Sequence, residues 1–526
     1  MRLWTSASLF CCLFSLFQSY KILFYCPKNG RSQVIYLGAL ADILIDAGHD
    51  VTFLYSEINP DVSVIGTKRA KSIVIPAAES VKSHFGGDEY IADTWTMKVG
   101  NPFAQRKLVI DYAEVIAEQC AHLVENHNSV FEDLKKEKFD ILLHEPMDYC
   151  QFGIMQAVEI KTHVMIMSAV LMDGIAEAIG ASTMPSTVPA WFGNSGEKMT
   201  LMERISNAII MHISKEFTTT LHHKEEDVFR RFLGDKFAPF QDVIDNATYV
   251  ISNTDPFIDF PRPVIPKVLN LGGMAVRDPK PLSREMEAIV TERKATVFIS
   301  FGSIGKSYLM PETMKKSFAE MFKRFPDVTF IWKFETDQIE FLKGIQNVHT
   351  VKWAPQNDLL AHHNLKLFIT HGGMGSVLET VHRGVPVLMV PLFGDQMRNA
   401  KMLERIGVGF EFDRHDLNYV EKLSGAVKEL LTNESYTQAS KRIQFLIENR
   451  PFDIRDSFLK QVEFAARVGP IPSMTSIVPR TGFVAYYMLD AVALVSAVIA
   501  FACVSLWLIV RKIWSMVRGQ KKVKTT

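Results

Sequence analysis

Between Ala491 and Val510 the chain runs for twenty consecutive residues without a charge, nearly all of them apolar, and no other feature limits its fold as much. Twenty helical residues reach about 30 Å, the hydrocarbon thickness of a bilayer. A buried helix of a soluble domain would keep a polar face, and this segment has none. The run therefore reads as one transmembrane helix, 491–510. Arg511, Lys512, Arg518, Lys521, Lys522 and Lys524 follow it, whereas Arg480 is the only basic residue in the twenty before it. That asymmetry places the tail, 511–526, in the cytosol and everything before the helix on the opposite side.

The other end agrees. Arg2 precedes an apolar run from Leu9 to Phe17 that is too short to span a bilayer, and a strand-like segment follows directly, so residues 1–19 read as a secretory signal peptide. Lys522 and Lys524 stand fifth and third from the end, which resembles a dilysine retrieval signal for the endoplasmic reticulum. A single-pass type I protein of that membrane is expected, with its folded part lumenal. The sequons Asn246-Ala-Thr248 and Asn433-Glu-Ser435 are compatible with a lumen. Lys and Arg together number 58, as do Asp and Glu, so no net field exists to gather nucleic acid. Of six cysteines only Cys26, Cys120 and Cys150 fall in the lumenal part, without disulfide-framework or zinc spacing. The expectation is three small buried hydrophobes, with at least one free thiol should the other two oxidise.

Strand and helix patterns alternate from the first lumenal residues. Lys21–Tyr25 reads as a strand, Val34–Ala47 as a helix stopped by Gly48, and Val51–Tyr55 as a strand. The rhythm returns at Asp140–Leu143, at a helix from Gln151 and at Thr162–Met167, as a parallel sheet requires. Residues 60–135 and 170–245 are longer helical stretches suited to an acceptor pocket. Pro256, Pro261, Pro263 and Pro266, then Gly272, Gly273 and the loop Asp278–Leu282, look like a linker. A second series of strands follows at Thr296–Ser300, Val328–Lys333, Leu367–Thr370 and Pro386–Val390. The expected domains are 20–280 and 281–450, then a return helix and linker over 451–480. Two such α/β domains leave a cleft at the C-terminal ends of their strands, where such sheets bind ligands.

The chemistry concentrates between Trp353 and Gln396. His371, Gly372 and Gly373 follow a strand and open a helix through Glu379, so free backbone N–H groups and the positive helix end can seat a diphosphate. A Cβ there would keep a phosphate from the backbone. The whole block, Trp-Ala-Pro-Gln, Thr-His-Gly-Gly-Met-Gly-Ser and Pro-Leu-Phe-Gly-Asp-Gln, resembles the signature of UDP-glycosyltransferases, and the chain is similar to animal UDP-glucuronosyltransferases. Phe301-Gly-Ser303, the late helix Phe452–Val468 and the basic membrane tail extend the likeness over most of the chain.

That resemblance implies two facing Rossmann-like domains of the GT-B type, the first for acceptor and the second for UDP-sugar. It also implies that Trp353 stacks on uracil, Gln356 lies by the ribose, Glu379 accepts from ribose hydroxyls, and His371 with Gly373 holds the diphosphate. Asp395 and Gln396 would hold the sugar hydroxyls, and Ser303 and Ser376 would complete the donor seat. The reaction would be inverting transfer of glucuronic acid or a hexose from UDP-glucuronate or UDP-glucose to a lipophilic small molecule. The sugar nucleotide would be a co-substrate, with neither cofactor nor metal: the donor block contains no Asp-x-Asp motif. Oligomers with itself or with family members are an expectation of the family only. Gly375 stands where many members carry Asn, and Met397 replaces a common Pro.

The catalytic part departs from the family. A histidine after the first strand normally takes the acceptor proton, oriented by an aspartate at a later strand end. Here Arg31 occupies the histidine's place, Glu145 the aspartate's, with His144 before it and Asp148 three residues on. An arginine cannot serve as a general base. Three consequences are open. Glu145 or Asp148 is the base, its pKa raised by burial. Or the acceptors are carboxylates or amines that need no deprotonation, a carboxylate being held by Arg31. Or Arg31 closes on Glu145 as a salt bridge, and the chain is a weak or inactive UDP-sugar binder that regulates active relatives.

Overall fold

The computed structural model describes residues 19–85, 88–97 and 102–523. The signal segment before Ser19 and Lys524 of the dilysine pattern lie outside them. The chain divides into two compact units, Met1–Thr475 and Ser476–Thr526.

The first unit is built on two sheets. Strands β1 (Lys21–Lys28), β2 (Asp50–Glu57), β3 (Lys71–Ile75), β4 (Ile141–His144), β5 (His163–Met167), β6 (Tyr249–Ser252) and β7 (Val268–Asn270) lie in the order β3-β2-β1-β4-β5-β6-β7. Strands β8 (Ala295–Ser300), β9 (Val328–Lys333), β10 (Val348–Val351), β11 (Leu365–Thr370), β12 (Val387–Met389) and β13 (Gly409–Glu411) follow the order β10-β9-β8-β11-β12-β13. Every pairing is parallel. Parallel strands are covered on both faces, so they read as continuous apolar runs. In β1, Ile22, Phe24 and Cys26 enter one core while Leu23 and Tyr25 enter the other. In both sheets the order reverses beside the first strand, at β1/β4 and at β8/β11, and a ligand crevice opens at the carboxyl ends of these pairs.

The helix Ile454–Val468 returns to the first sheet. Its Phe458, Val462 and Ala465, spaced to share one helix face, join the core of Ile22 and Phe24. Two expectations need correction. The proline-rich stretch is not wholly linker: β7 lies within it, pairing with β6 directly after Pro266 and completing the first sheet. Cys26, Cys120 and Cys150 are not three buried hydrophobes either. Cys120 and Cys150 form a disulfide with Cα atoms 5.7 Å apart, and only Cys26 is a buried free thiol. Helix Pro102–Asn126 and the start of helix Cys150–Val158 are thereby joined, a pairing set by packing rather than by spacing.

The second unit contains the helix Leu489–Val523, which extends past the expected 491–510 at both ends. Its segment Leu489–Arg518 is long and apolar enough to cross a membrane. Its apolar side chains, Leu494, Phe501 and Leu508 among them, are exposed.

Candidate active site

One group of the candidate residues stands on the loops after β8, β9 and β11 and on two helix starts. After β11 the turn passes through Gly372, at φ 84°, a left-handed conformation that favours glycine, and Gly373 caps the helix Met374–Arg383. His371 packs against the glycines. A Cβ on Gly373 would stand 2.7 Å from its Nε2, and one on Gly302, also left-handed, 2.6 Å from its Cε1. These glycines therefore make room first for the imidazole. Burial and the nearby Lys333 cation lower the His371 pKa to about 4, so the ring is neutral at pH 7. Nδ1 lies 3.3 Å from the Thr370 hydroxyl; accepting there leaves the ring proton on Nε2, available as a donor. Gly375 has open space around its Cα, so the missing Asn side chain leaves a vacancy rather than a strained turn.

Gln356, Ser376 and Glu379 are brought together. Gln356 Nε2 donates to Glu379 Oε2 at 2.7 Å and to Ser376 Oγ at 3.0 Å. Burial raises the Glu379 pKa, and the Gln356 hydrogen bond partly offsets this. Trp353 presents an indole that is 60% exposed. Asp395 precedes the helix Gln396–Arg405, and its Oδ2 accepts from Asn399 Nδ2 at 2.8 Å, while the same amide donates to Gly372 O at 3.0 Å. Gln396 Oε1 accepts from the Leu392 and Phe393 backbones at 2.8 and 3.1 Å, leaving only its Nε2 to meet a ligand. Ser303 is exposed in the loop after β8.

Lys333 escaped the sequence reading. It is buried at the end of β9, donates to Gly302 O at 2.8 Å and pairs with Glu335 at 2.9 Å, so it ties the Ser303 loop to β9 beside His371. The available signal was a lysine closing an otherwise apolar strand.

Across from these groups, Glu145 follows β4 and is buried. Its Oε1 accepts from Ser168 N at 2.9 Å and from the Ser168 hydroxyl, while Oε2 is buried with no protein partner. Burial raises its pKa to about 7, opposed by the Ser168 hydrogen bonds and by the nearby Gln33 amide, which makes no hydrogen bond to it. Asp148 is held in a similar way, with Oδ1 buried and without a protein hydrogen bond. Its Oδ2 accepts from Tyr25 OH at 2.7 Å, and burial pushes its carboxyl up, with the Glu145 charge adding to the rise.

The structure does not bring Arg31 to Glu145. Arg31 opens the helix Arg31–Asp46, and its guanidinium lies 4.7 Å from the centre of the Trp353 ring, so the expected salt bridge is absent in favour of a cation–π contact with the donor side. The side chain turned to Glu145 is Gln33. Its Oε1 accepts from the backbone of Asn29 and Gly30, each at 3.3 Å, capping the helix, and its amide, which forms no hydrogen bond, lies near enough to Glu145 to favour the anion. No spacing rule singled out Gln33; its cap position was the one visible sign.

The chain is similar to known proteins over most of its length. The family model described as UDP-glucoronosyl and UDP-glucosyl transferase matches residues 21–523. Human UDP-glucuronosyltransferase 1A1 is 28% identical over 489 residues, covering 91% of this chain and 89% of the human one. A Caenorhabditis elegans relative, ugt-50, assigned by name to the same transferases, is 30% identical over 85% of this chain and 86% of its own. Among solved structures, a UDP-glucosyltransferase from Polygonum tinctorium superposes with a TM-score of 0.58 at 16% identity, over 86% of this chain and 99% of that one. Phytolacca americana UGT2 does so with a TM-score of 0.57 at 16% identity, over 85% of this chain and 100% of that one.

Proposed function

As the chain belongs to the UDP-glucuronosyl and UDP-glucosyl transferase family and is a UDP-glycosyltransferase of GT-B fold, we propose that it transfers glucuronic acid or a hexose from the UDP-sugar to a hydroxyl of a lipophilic small molecule, with Glu145 as the base. The observation that carries this is the Glu145 carboxyl, whose pKa reaches about 7 and which is anchored to Ser168 through one oxygen, with the other buried and without a hydrogen bond; Asp148 shares this state but gives its bound oxygen to Tyr25 OH, at 2.7 Å. The acceptor hydroxyl is the missing partner.

The sugar nucleotide is a co-substrate, not a resident cofactor. Uracil stacks on Trp353, the ribose meets Gln356 and Glu379, and Asp395 with Gln396 Nε2 holds the sugar. As Glu145 takes the hydroxyl proton, the acceptor oxygen attacks the anomeric carbon and the bond from that carbon to the diphosphate oxygen breaks, inverting the centre. UDP leaves with the electron pair. Its charge is met by His371 Nε2–H, the glycine-turn amides and the positive end of helix Met374–Arg383. Arg31, engaged with Trp353, is not placed to hold a carboxylate acceptor, which favours hydroxyl acceptors. Asp148, tied to Tyr25, shapes the pocket beside the base.

The membrane placement forms part of the same proposal. The helix Leu489–Val523 anchors a type I chain in the endoplasmic reticulum with residues 20–480 lumenal. The Cys120–Cys150 disulfide suits an oxidising lumen. The reading is tested by UDP release from UDP-glucuronate and UDP-glucose with matched phenol, carboxylic acid and amine acceptors. Turnover fastest with phenols, with kcat/KM rising to a plateau above about pH 7, is expected from the Glu145 pKa. UDP-sugar binding without turnover of any acceptor would overturn it in favour of the regulatory binder.

A further inference from the structure

Arg398 is among the largest fully buried side chains of the protein, at 1% exposure, and it lies two residues beyond Gln396 in the helix that begins with the sugar-holding pair. Its guanidinium leaves the second sheet's half altogether. Nη2 meets Asp259 Oδ1 at 2.6 Å, Nε donates to Pro189 O at 3.3 Å, and the group lies 5.2 Å from the Phe260 ring centre. Asp259 and Pro189 both belong to the first sheet's half. One face of the same helix reinforces the crossing: Arg405, seven residues on, pairs with Glu197 at 2.7 Å and donates to Asp259 O at 3.4 Å. At its other end the helix is tied to the glycine turn through Asn399, which bridges Asp395 and Gly372 O.

Burying an ion pair at this cost in desolvation is weak evidence of stabilisation, since apolar residues of the same size often do as well. Such a pair does fix geometry. Burial pushes the Asp259 carboxyl up, but Arg398 and Arg262 more than offset this and hold it below its ordinary value, so it is ionised at pH 7 and the link is fully charged. The residues assigned to uracil and ribose stand on other elements, and the diphosphate turn meets this helix through Asn399 rather than through Arg398.

We infer that Arg398, held by Asp259 across the two halves, is a positioning residue for the donor sugar: it sets the first turn of the helix that presents Asp395 and Gln396. The inference rests on the reading that this pair holds the sugar. It predicts a selective defect, in which the sugar's contribution to binding is lost while that of UDP is kept.

The test is calorimetric titration of the full chain in detergent with UDP, UDP-glucose and UDP-glucuronate. The variants are Arg398→Lys, which keeps charge but not the planar fork, the double variant Arg398→Met with Asp259→Asn, which removes both charges of the pair and leaves Asp173 to face Arg262, and Gln396→Ala. For the two Arg398 variants, Kd for the preferred UDP-sugar should rise about tenfold and Kd for UDP less than twofold. An equal loss for both ligands, or none, overturns the inference and leaves a structural ion pair. Gln396→Ala separates the underlying reading: if it spares sugar binding, the sugar-holding assignment fails. If it removes that binding while the Arg398 variants do not, this inference fails alone.

Discussion

Replacing Glu145 by Gln should make the protein more stable and less active at once. On folding, the Glu145 pKa moves from 4.5 to about 7 because burial disfavours its anion. The native state then binds the proton more tightly than the unfolded one, so stability falls as pH rises from 4.5 through 7. At pH 8, where both states are ionised, the cost is about 3 kcal/mol. It shrinks to about 1 kcal/mol at pH 5 and vanishes in stronger acid. Gln keeps an oxygen for the Ser168 amide and carries no charge, so Glu145→Gln removes this term. With an unfolding entropy of roughly 2 cal/mol/K per residue, the variant should melt about 3 °C above wild type at pH 8, with the gap closing toward pH 5. Thermal melts of both proteins across pH 5–8 read this directly; the contribution of Glu225 cancels in the comparison, whereas Asp148, whose pKa the Glu145 charge helps to raise, is relieved in the variant and widens the gap in the same direction. Turnover with a phenol should fall by roughly a hundredfold to ten-thousandfold. Parallel melting curves at every pH would refute the reasoning, since Glu145 would then titrate as a solvated carboxyl and could not be a base poised near neutrality.

Other expectations follow from single contacts. Trp353→Ala removes the stacking platform and should weaken UDP by about tenfold to a hundredfold, measured as Kd, in line with about 1–3 kcal/mol per stacked base. Gly373→Ala places a Cβ 2.7 Å from His371 Nε2 and should displace the imidazole, lowering kcat more than it changes the fold's circular dichroism. Cys150→Ser opens the 30-residue span to Cys120 and should cost about 3 kcal/mol, seen as a lower Tm that reducing agent no longer affects.

The sequence was most legible where local pattern and tertiary role coincide. Lys21–Tyr25 and Val51–Tyr55 are apolar because both faces of a parallel sheet are covered, and the glycines after β11 are required by a tight turn against His371. Their environment is written in their own neighbours. The strand Val268–Asn270 is three residues long behind a proline, and Val348–Val351 is a half-buried edge, so neither carries a strand-length apolar run. Gln33 and Lys333 are ordinary polar residues until the fold places one beside Glu145 and the other beside His371. Arg398 reads as a surface residue of an amphipathic helix, because its partner Asp259 lies 139 residues away. Arg31 was legible as a substitution, but its direction was not: a long side chain at a helix start can reach either half, and an exposed indole attracts it.

The return of helix Ile454–Val468 to the first sheet has a consequence for biosynthesis. Phe458, Val462 and Ala465 complete a core begun by Ile22 and Phe24, so the earliest-made strand keeps part of its apolar face uncovered until nearly all the chain has left the ribosome. The second sheet's core in turn takes in Trp95 from the first half, so the two halves complete each other. A chain ending before residue 454 would thus leave that face of the first sheet permanently open, a surface for chaperones to hold.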